Sequence, residues 1–184
     1  MIFLMVLFYF VFYLLTLHIF ILIGVDYMKI DLTRLLTCLL IPLSVGAVSG
    51  VISGGGMDSF GSMVKPPLSP PGWLFPIVWT ILFILMGIAS YLVISSNAEK
   101  KDVVRALIFY GVQLFFNFFW SIIFFNLEWY LFAFIWLVVL WILIIITAVL
   151  FYRISKPAGY LMIPYIVWVS FAGYLNFAIY LLNR

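Results

Sequence analysis

Lys65-Pro66-Pro67-Leu68-Ser69-Pro70-Pro71-Gly72-Trp73-Leu74-Phe75-Pro76-Ile77-Val78-Trp79 joins two kinds of chain. Residues 66–71 hold four prolines, each without an N–H and with φ fixed, so they build neither helix nor central strand. They predict a stiff, extended connector. Gly72 then releases the chain into a long apolar run that opens at Trp73, and Pro76 falls in its first turn, where a missing N–H costs little. A rigid loop hands off to a membrane helix whose first turns carry two tryptophans. Taken alone, the proline pattern reads as a plain spacer, and the rest of the chain decides against that.

The 184 residues are 68% hydrophobic, 21% aromatic and only 8% charged, with a mean hydropathy of +1.32. That composition excludes a soluble domain and predicts an integral membrane protein. One cysteine, Cys38, allows no intramolecular disulfide. The net charge of +3 is too small and scattered for a nucleic-acid surface, and there is no Gly-rich phosphate loop.

A membrane helix needs roughly 20 apolar residues to cross a hydrocarbon core of about 30 Å. Runs near 34–53, 73–96, 103–125, 129–152 and 159–182 meet that length. The breaks Asn97–Asp102, Asn126–Glu128 and Arg153–Pro157 are short and polar, so neighbouring helices run antiparallel. The segment from Gly54 to Gly72 is the long exception, and a long loop in a compact domain is usually functional. All six acids and nine bases lie at or outside span ends. Ion-coupled pumps keep an ionisable group within the bilayer, which argues against secondary active transport. The expected fold is an all-α integral membrane protein, a five-transmembrane-helix bundle over residues 29–184. Residues 1–28 form a hydrophobic N-terminal extension. Its run from Met1 to Val25 is either an extra span or an upstream addition to a native start at Met28, and both readings stay open here.

Gln113, Asn117, Trp120 and Ser121 share one helix face. Amides in a bilayer need partners. They are either interhelical glue or the polar wall of a ligand cavity. Trp79, Phe83 and Met86 form one stripe, and Trp168, Phe171, Ala172 and Leu175 another, with Asn176 alongside. Such stripes usually meet lipid or core. Trp73 and Trp129 suit the interfacial belt, whereas Trp79 and Trp168 sit too deep for it. Gly46, Gly50 and Gly54 recur every four residues and read as a close-packing ridge. One histidine and one cysteine build no metal site, and no Ser/His/Asp or Cys/His nucleophile set exists.

Three motifs together carry a resemblance. Lys65 to Trp73 followed by Val78-Trp79-Thr80, then Gln113-Leu114-Phe115-Phe116-Asn117-Phe118-Phe119-Trp120-Ser121, then Pro164-Tyr165-Ile166-Val167-Trp168-Val169-Ser170-Phe171-Ala172 with Leu175-Asn176, resemble the TspO/translocator protein family over residues 33–184. These are the tryptophan-rich sensory proteins related to the peripheral benzodiazepine receptor. The Met1–Val25 run is not part of that pattern.

The resemblance implies five membrane helices, often as a homodimer, and a pocket beneath the first loop. It implies a receptor or sensor for porphyrins, benzodiazepine-type drugs and, in animals, cholesterol. For bacterial members it implies light-dependent oxidative degradation of protoporphyrin IX. By motif position Trp79 and Trp168 are the aromatic pair of that reaction. Trp73, Phe83, Gln113, Asn117, Trp120 and Ala172 join them as ligand-binding residues, and neither a metal nor a cofactor is implied. Without a haem-ligating histidine, the macrocycle would be held by stacking between the outer ends of the second, third and fifth helices. Leu175, Tyr180 and Arg184 fit a loose sterol-contact pattern that carries little weight. A binding sensor without turnover, and a passive transporter or scaffold for tetrapyrroles or sterol-like lipids, remain the alternatives.

Orientation follows from basic residues. Lys29, Arg34, Lys100, Lys101, Arg105, Arg153 and Lys156 fall on one side of a five-helix layout, and Lys65 and Arg184 on the other. The expected location is the plasma membrane of a bacterium, with the Pro-rich loop and the C-terminus outside. With Cys38 replaced, a cysteine at position 59 should label from outside intact cells and one at position 96 should not. Labelling at 96 from outside would reverse the topology.

Overall fold

The computed structural model describes residues 30–54 and 63–184, all helix, turn and loop. The Met1–Val25 run lies outside the described residues. Helix α1 spans Leu32–Ser53, α2 Leu74–Ile94 and α3 Lys100–Ser121, the last continued by a π-helical turn over Ile122–Asn126. Then come α4 at Tyr130–Ile154, α5 at Lys156–Leu161 and α6 at Ile163–Leu182. The pair α5 and α6 forms the fifth span. Among the described residues, five segments are thus long and apolar enough to cross a membrane, and the protein is an integral, multi-pass membrane protein.

Local chemistry sets the ends. The Asp31 carboxylate caps α1 by accepting from Arg34 N at 3.0 Å, and Arg34 Nε returns a 3.1 Å ion pair. The polar break expected over Arg153–Pro157 shrinks to Ser155, which is extended at φ −146° and ψ 111°. Arg153 stays in the last turn of α4 and Lys156 opens α5, and Pro157 sits in the first turn of α5, where its missing donor is no loss. Pro164 does the same for α6.

The Pro-rich segment is not one extended rod. Ser69 N donates to Pro66 O at 3.3 Å, and Leu68 has φ +74°. Proline at the second position and a left-handed third residue is the pattern of a type II turn, with leucine where glycine is usual. A second turn, closed by Leu74 N to Pro71 O at 3.0 Å, feeds α2. The loop is tied to α6. Tyr174 Oη donates to Pro67 O at 3.2 Å, while Asn183 accepts from Val64 N and donates to Val64 O, both at 3.0 Å.

The spans close a ring. α1 packs on α2, α2 on α5, α5 and α6 on α4, α4 on α3, and α3 on α1. α2 is the most buried span and α1 the least. Lipid is as apolar as leucine, so close backbone approach and internal hydrogen bonds drive this association. At the α1–α2 seam a Cβ on Gly87 would lie 2.9 Å from both Cys38 O and Leu39 Cα. Pro42 removes the helical donor that Cys38 O would otherwise receive, so that carbonyl abuts the glycine. Gly87→Ala should therefore cost about 1–3 kcal/mol of stability, since backbone atoms cannot rotate away. Gly50→Ala, with nothing within 4 Å of its Cβ, should be nearly neutral. Thermal unfolding of the two variants in one detergent checks the contrast.

Candidate functional site

A cavity of about 610 Å³ lies at the loop end of the bundle, among the last turns of α1, the first turns of α2, and the end of α3 with its π turn. Leu43, Gly46, Ser49, Gly50 and Ser53 form one wall, and Phe75, Pro76, Trp79, Thr80 and Phe83 a second. Asn117, Trp120, Ser121 and Phe125 form the third. Val51, Pro76 and Thr80 on its rim are exposed, so it opens along the α1–α2 seam. Asn117 and Phe125 are eight positions apart, so the third wall runs about 12 Å along its helix.

The walls follow from helix spacing. Phe75 and Pro76, Trp79 and Thr80, then Phe83 are one face of α2 at successive turns. Trp79 stacks on Phe83 with centroids 5.6 Å apart and lies 6.4 Å from Trp120. Trp120 stacks on Phe124 at 5.4 Å. The π turn, in which Leu127 N donates to Ile122 O at 3.1 Å, adds a residue to the coil and sets Phe125 on the cavity. Asn126 Nδ2 donates to Ile52 O at 2.9 Å and Ser49 Oγ to Phe118 O at 3.0 Å, which fix α1 against this end of α3.

Of the residues the sequence singled out, Trp79, Phe83, Asn117 and Trp120 line the cavity. Trp73 does not, being 60% exposed at the head of α2. Gln113 is fully buried behind Asn117. Trp168 and Ala172 are buried on α6 and are not among the residues that line the cavity. Trp168 stands edge-on to the wall residue Phe75, with ring centroids 6.0 Å apart. The wall expected from the fifth span is supplied by α1, whose small residues the sequence reading assigned to helix packing. Phe75 was within reach of that reading, four residues before Trp79 on the same face. Phe125 was not, because a π turn has no comparable sequence signature.

Behind the cavity runs a buried polar chain. Asn117 Nδ2 donates to Tyr165 Oη at 2.8 Å, Tyr165 Oη donates to Gln113 Oε1 at 3.0 Å, and Gln113 Nε2 donates to Met86 Sδ at 3.7 Å. A second link runs from Trp120 Nε1 to Asn176 Oδ1 at 3.2 Å, and from Asn176 Nδ2 to Tyr130 O at 2.8 Å. No group of three or more His, Cys, Asp or Glu side chains that could hold a metal occurs among the described residues. The arrangement offers a flat, aromatic, uncharged slot with one amide in its floor. Tyr165→Phe should leave Gln113 Oε1 and Asn117 Nδ2 without a shared partner and cost about 1–3 kcal/mol. The measurement is a thermal midpoint in detergent, and an unchanged midpoint would show that the chain is not structural.

The model of the TspO/MBR family matches residues 38–182. The chain is 47% identical over 122 residues to the tryptophan-rich protein TspO of Chlorobaculum tepidum, covering 66% of this chain and 77% of that one. It is 36% identical over 154 residues to the TspO protein of Archaeoglobus fulgidus, covering 83% and 99%. It is also 33% identical over 134 residues to the translocator protein of Ovis aries, covering 72% and 79%. The family match spans the loop, the cavity walls and the buried chain behind them, and the protein belongs to the TspO/MBR family.

Proposed function

We propose that this protein is a membrane receptor and sensor that takes porphyrins of the protoporphyrin IX type into the cavity beneath its Pro-rich loop, and that it promotes their light-dependent oxidative degradation. The observation that carries this reading is the slot itself. Its volume of about 610 Å³ falls in the range of roughly 300–1,000 Å³ typical of small-molecule sites. Trp79, Phe83, Trp120 and Phe125 give it flat walls, and none of its lining residues is charged. Stacked aromatic contacts add about 0.5–1.5 kcal/mol each beyond area burial. The carboxylates of the macrocycle then face the loop end and the headgroup region, since a buried charge in hydrocarbon is costly.

In this reading light excites the bound porphyrin, dioxygen is the oxidant, and the Trp79 indole is the redox-active ring in the wall. Trp168 stands one ring further out, behind Phe75, and acts through it. Trp73 and Ala172 contribute to the surroundings of the slot, and Gln113 to the orientation of Asn117. The protein works as a homodimer in a bacterial plasma membrane with its loop outside, and residues 1–28 are dispensable for binding.

Detergent-solubilised protein mixed with protoporphyrin IX tests this. Tryptophan quenching reports binding, and protein-dependent loss of the Soret band in light and air reports degradation. Trp79→Phe should keep most of the binding and strongly slow bleaching, Trp168→Phe should slow it less, and Asn117→Leu should weaken binding itself. Wild-type bleaching rates in both tryptophan variants would reduce the stripe to packing.

A further inference from the structure

Two buried asparagines flank the cavity, and they are wired differently. Asn176 has both ends committed, its Oδ1 to Trp120 Nε1 and its Nδ2 to Tyr130 O. Asn117 has one end committed, its Nδ2 to Tyr165 Oη, and it lines the cavity. Its Oδ1 takes no hydrogen bond among the described residues.

The polarity of that arrangement is set from three residues away. An amide side chain fits its site in two orientations, and neighbours of fixed character decide between them. Met86 Sδ is an acceptor and cannot donate. Gln113 must therefore turn its Nε2 toward Met86, which leaves Oε1 facing Tyr165. The Tyr165 hydroxyl spends its one proton on Gln113 Oε1 and can only accept from Asn117. Asn117 then has to offer Nδ2 to the tyrosine, and its carbonyl oxygen is left for the cavity. A single thioether fixes the sign of the polar group in the floor.

Near that oxygen the walls are apolar. Leu43, Gly46 and Phe83 surround the deep end. The Ser49 and Thr80 hydroxyl protons go to Phe118 O and Pro76 O, and the Trp120 N–H goes to Asn176. Ser53 and Ser121, which keep their hydroxyls uncommitted among the described residues, stand at the outer end. The Trp79 N–H is likewise uncommitted, higher in the aromatic wall.

We infer that Asn117 Oδ1 is a fixed hydrogen-bond acceptor in the cavity floor, held in that sense by the Met86–Gln113–Tyr165 relay, and that it selects ligands carrying an uncharged donor on their inserted edge. Resting on the porphyrin reading above, this names the preferred subclass. It comprises tetrapyrroles with a hydroxyl or lactam N–H on the edge opposite their carboxylates, over those with only vinyl groups there. A carboxylate is excluded from this end, because it would face an acceptor in an apolar surround.

The test needs no assumption about porphyrin. Calorimetry on detergent-solubilised full-length protein compares 2-naphthol, which donates, with 2-methoxynaphthalene, which does not. The ratio of their affinities in wild type should exceed the ratio in Asn117→Leu by about fivefold, the effect of one hydrogen bond to a buried acceptor. Met86→Leu conserves volume and removes only the director, so its ratio should fall between the two. A purely structural role for these residues would move both affinities together and leave the ratio alone. Equal ratios in wild type and Asn117→Leu overturn the inference, as does failure of both naphthalenes to bind. Protoporphyrin IX quenching is recorded on the same samples. If the naphthol preference holds and the porphyrin does not bind, the acceptor stands and the porphyrin reading falls. If the porphyrin binds and the ratios are equal, the acceptor falls and the porphyrin reading stands.

Discussion

Hydrocarbon gives no water to a stray N–H or C=O, so every amide carried into this bundle must find its partner inside it. That constraint explains the joinery around α6. Tyr165 ties α6 to α3 through Asn117 and Gln113, and Asn176 ties it to Trp120 on α3 and to the Tyr130 carbonyl on α4. Five polar side chains in α3 and α6 thus bond one another, the Met86 sulfur and a main-chain group where lipid would offer no partner, and only the Asn117 Oδ1 is left over for the cavity among the described residues. Their geometry is stricter than aliphatic packing, because hydrogen bonds weaken steeply with angle and distance. The result is a firm core of α3, α4 and α6, with α2 wedged across it by its own buried face.

α1 is attached by different means. At its N-terminal end Asp31 N donates to Tyr91 Oη at 3.1 Å, and in its middle the Gly87 seam brings backbone against backbone. At its C-terminal end the bonds are Ser49 to Phe118 O and Asn126 to Ile52 O. Between that seam and those C-terminal bonds, small residues at 46, 47, 49 and 50 face the aromatic walls without filling the space. The cavity is therefore a consequence of how α1 is mounted. Glycine at 46 is required there, since a Cβ would run into the Phe83 ring. Glycine at 50 is under no such pressure.

Span number, span limits to within a few residues and the antiparallel order were legible in the sequence, because twenty apolar residues between charged ends leave little choice. The residues at issue show why the rest was not. Ser155 alone separates α4 from α5, because lysine and arginine are good helix formers and their charge marks a polar stretch without ending a helix. Leu68 takes a left-handed conformation that its side chain disfavours, so the turn in the proline segment depends on the anchorage to Tyr174 and Asn183 rather than on local preference. In the site, Trp79, Phe83, Asn117 and Trp120 could be placed on shared faces by spacing. The small residues of α1 could not be assigned to a cavity, because a ridge of glycine and serine permits close approach and open space equally.

The fifth span shows how a segment shapes a site that it does not line. Each inner part of the wall is backed by one residue of α6. Trp168 stands edge-on to Phe75, and Tyr165 stands edge-on to Trp79 at 6.0 Å while bonding Asn117. Asn176 holds the Trp120 indole by its N–H. Residues 165, 168, 172 and 176 advance by three and four, so they form one helix face, and that face lies directly behind the walls. A substitution there acts on the cavity through the wall residues it backs, Phe75, Trp79, Asn117 and Trp120. The motif in the fifth span is accordingly a buttress. Its residue types are fixed by what they must hold in place: an aromatic edge for each ring, a hydroxyl that both gives and accepts, and an amide with both ends occupied.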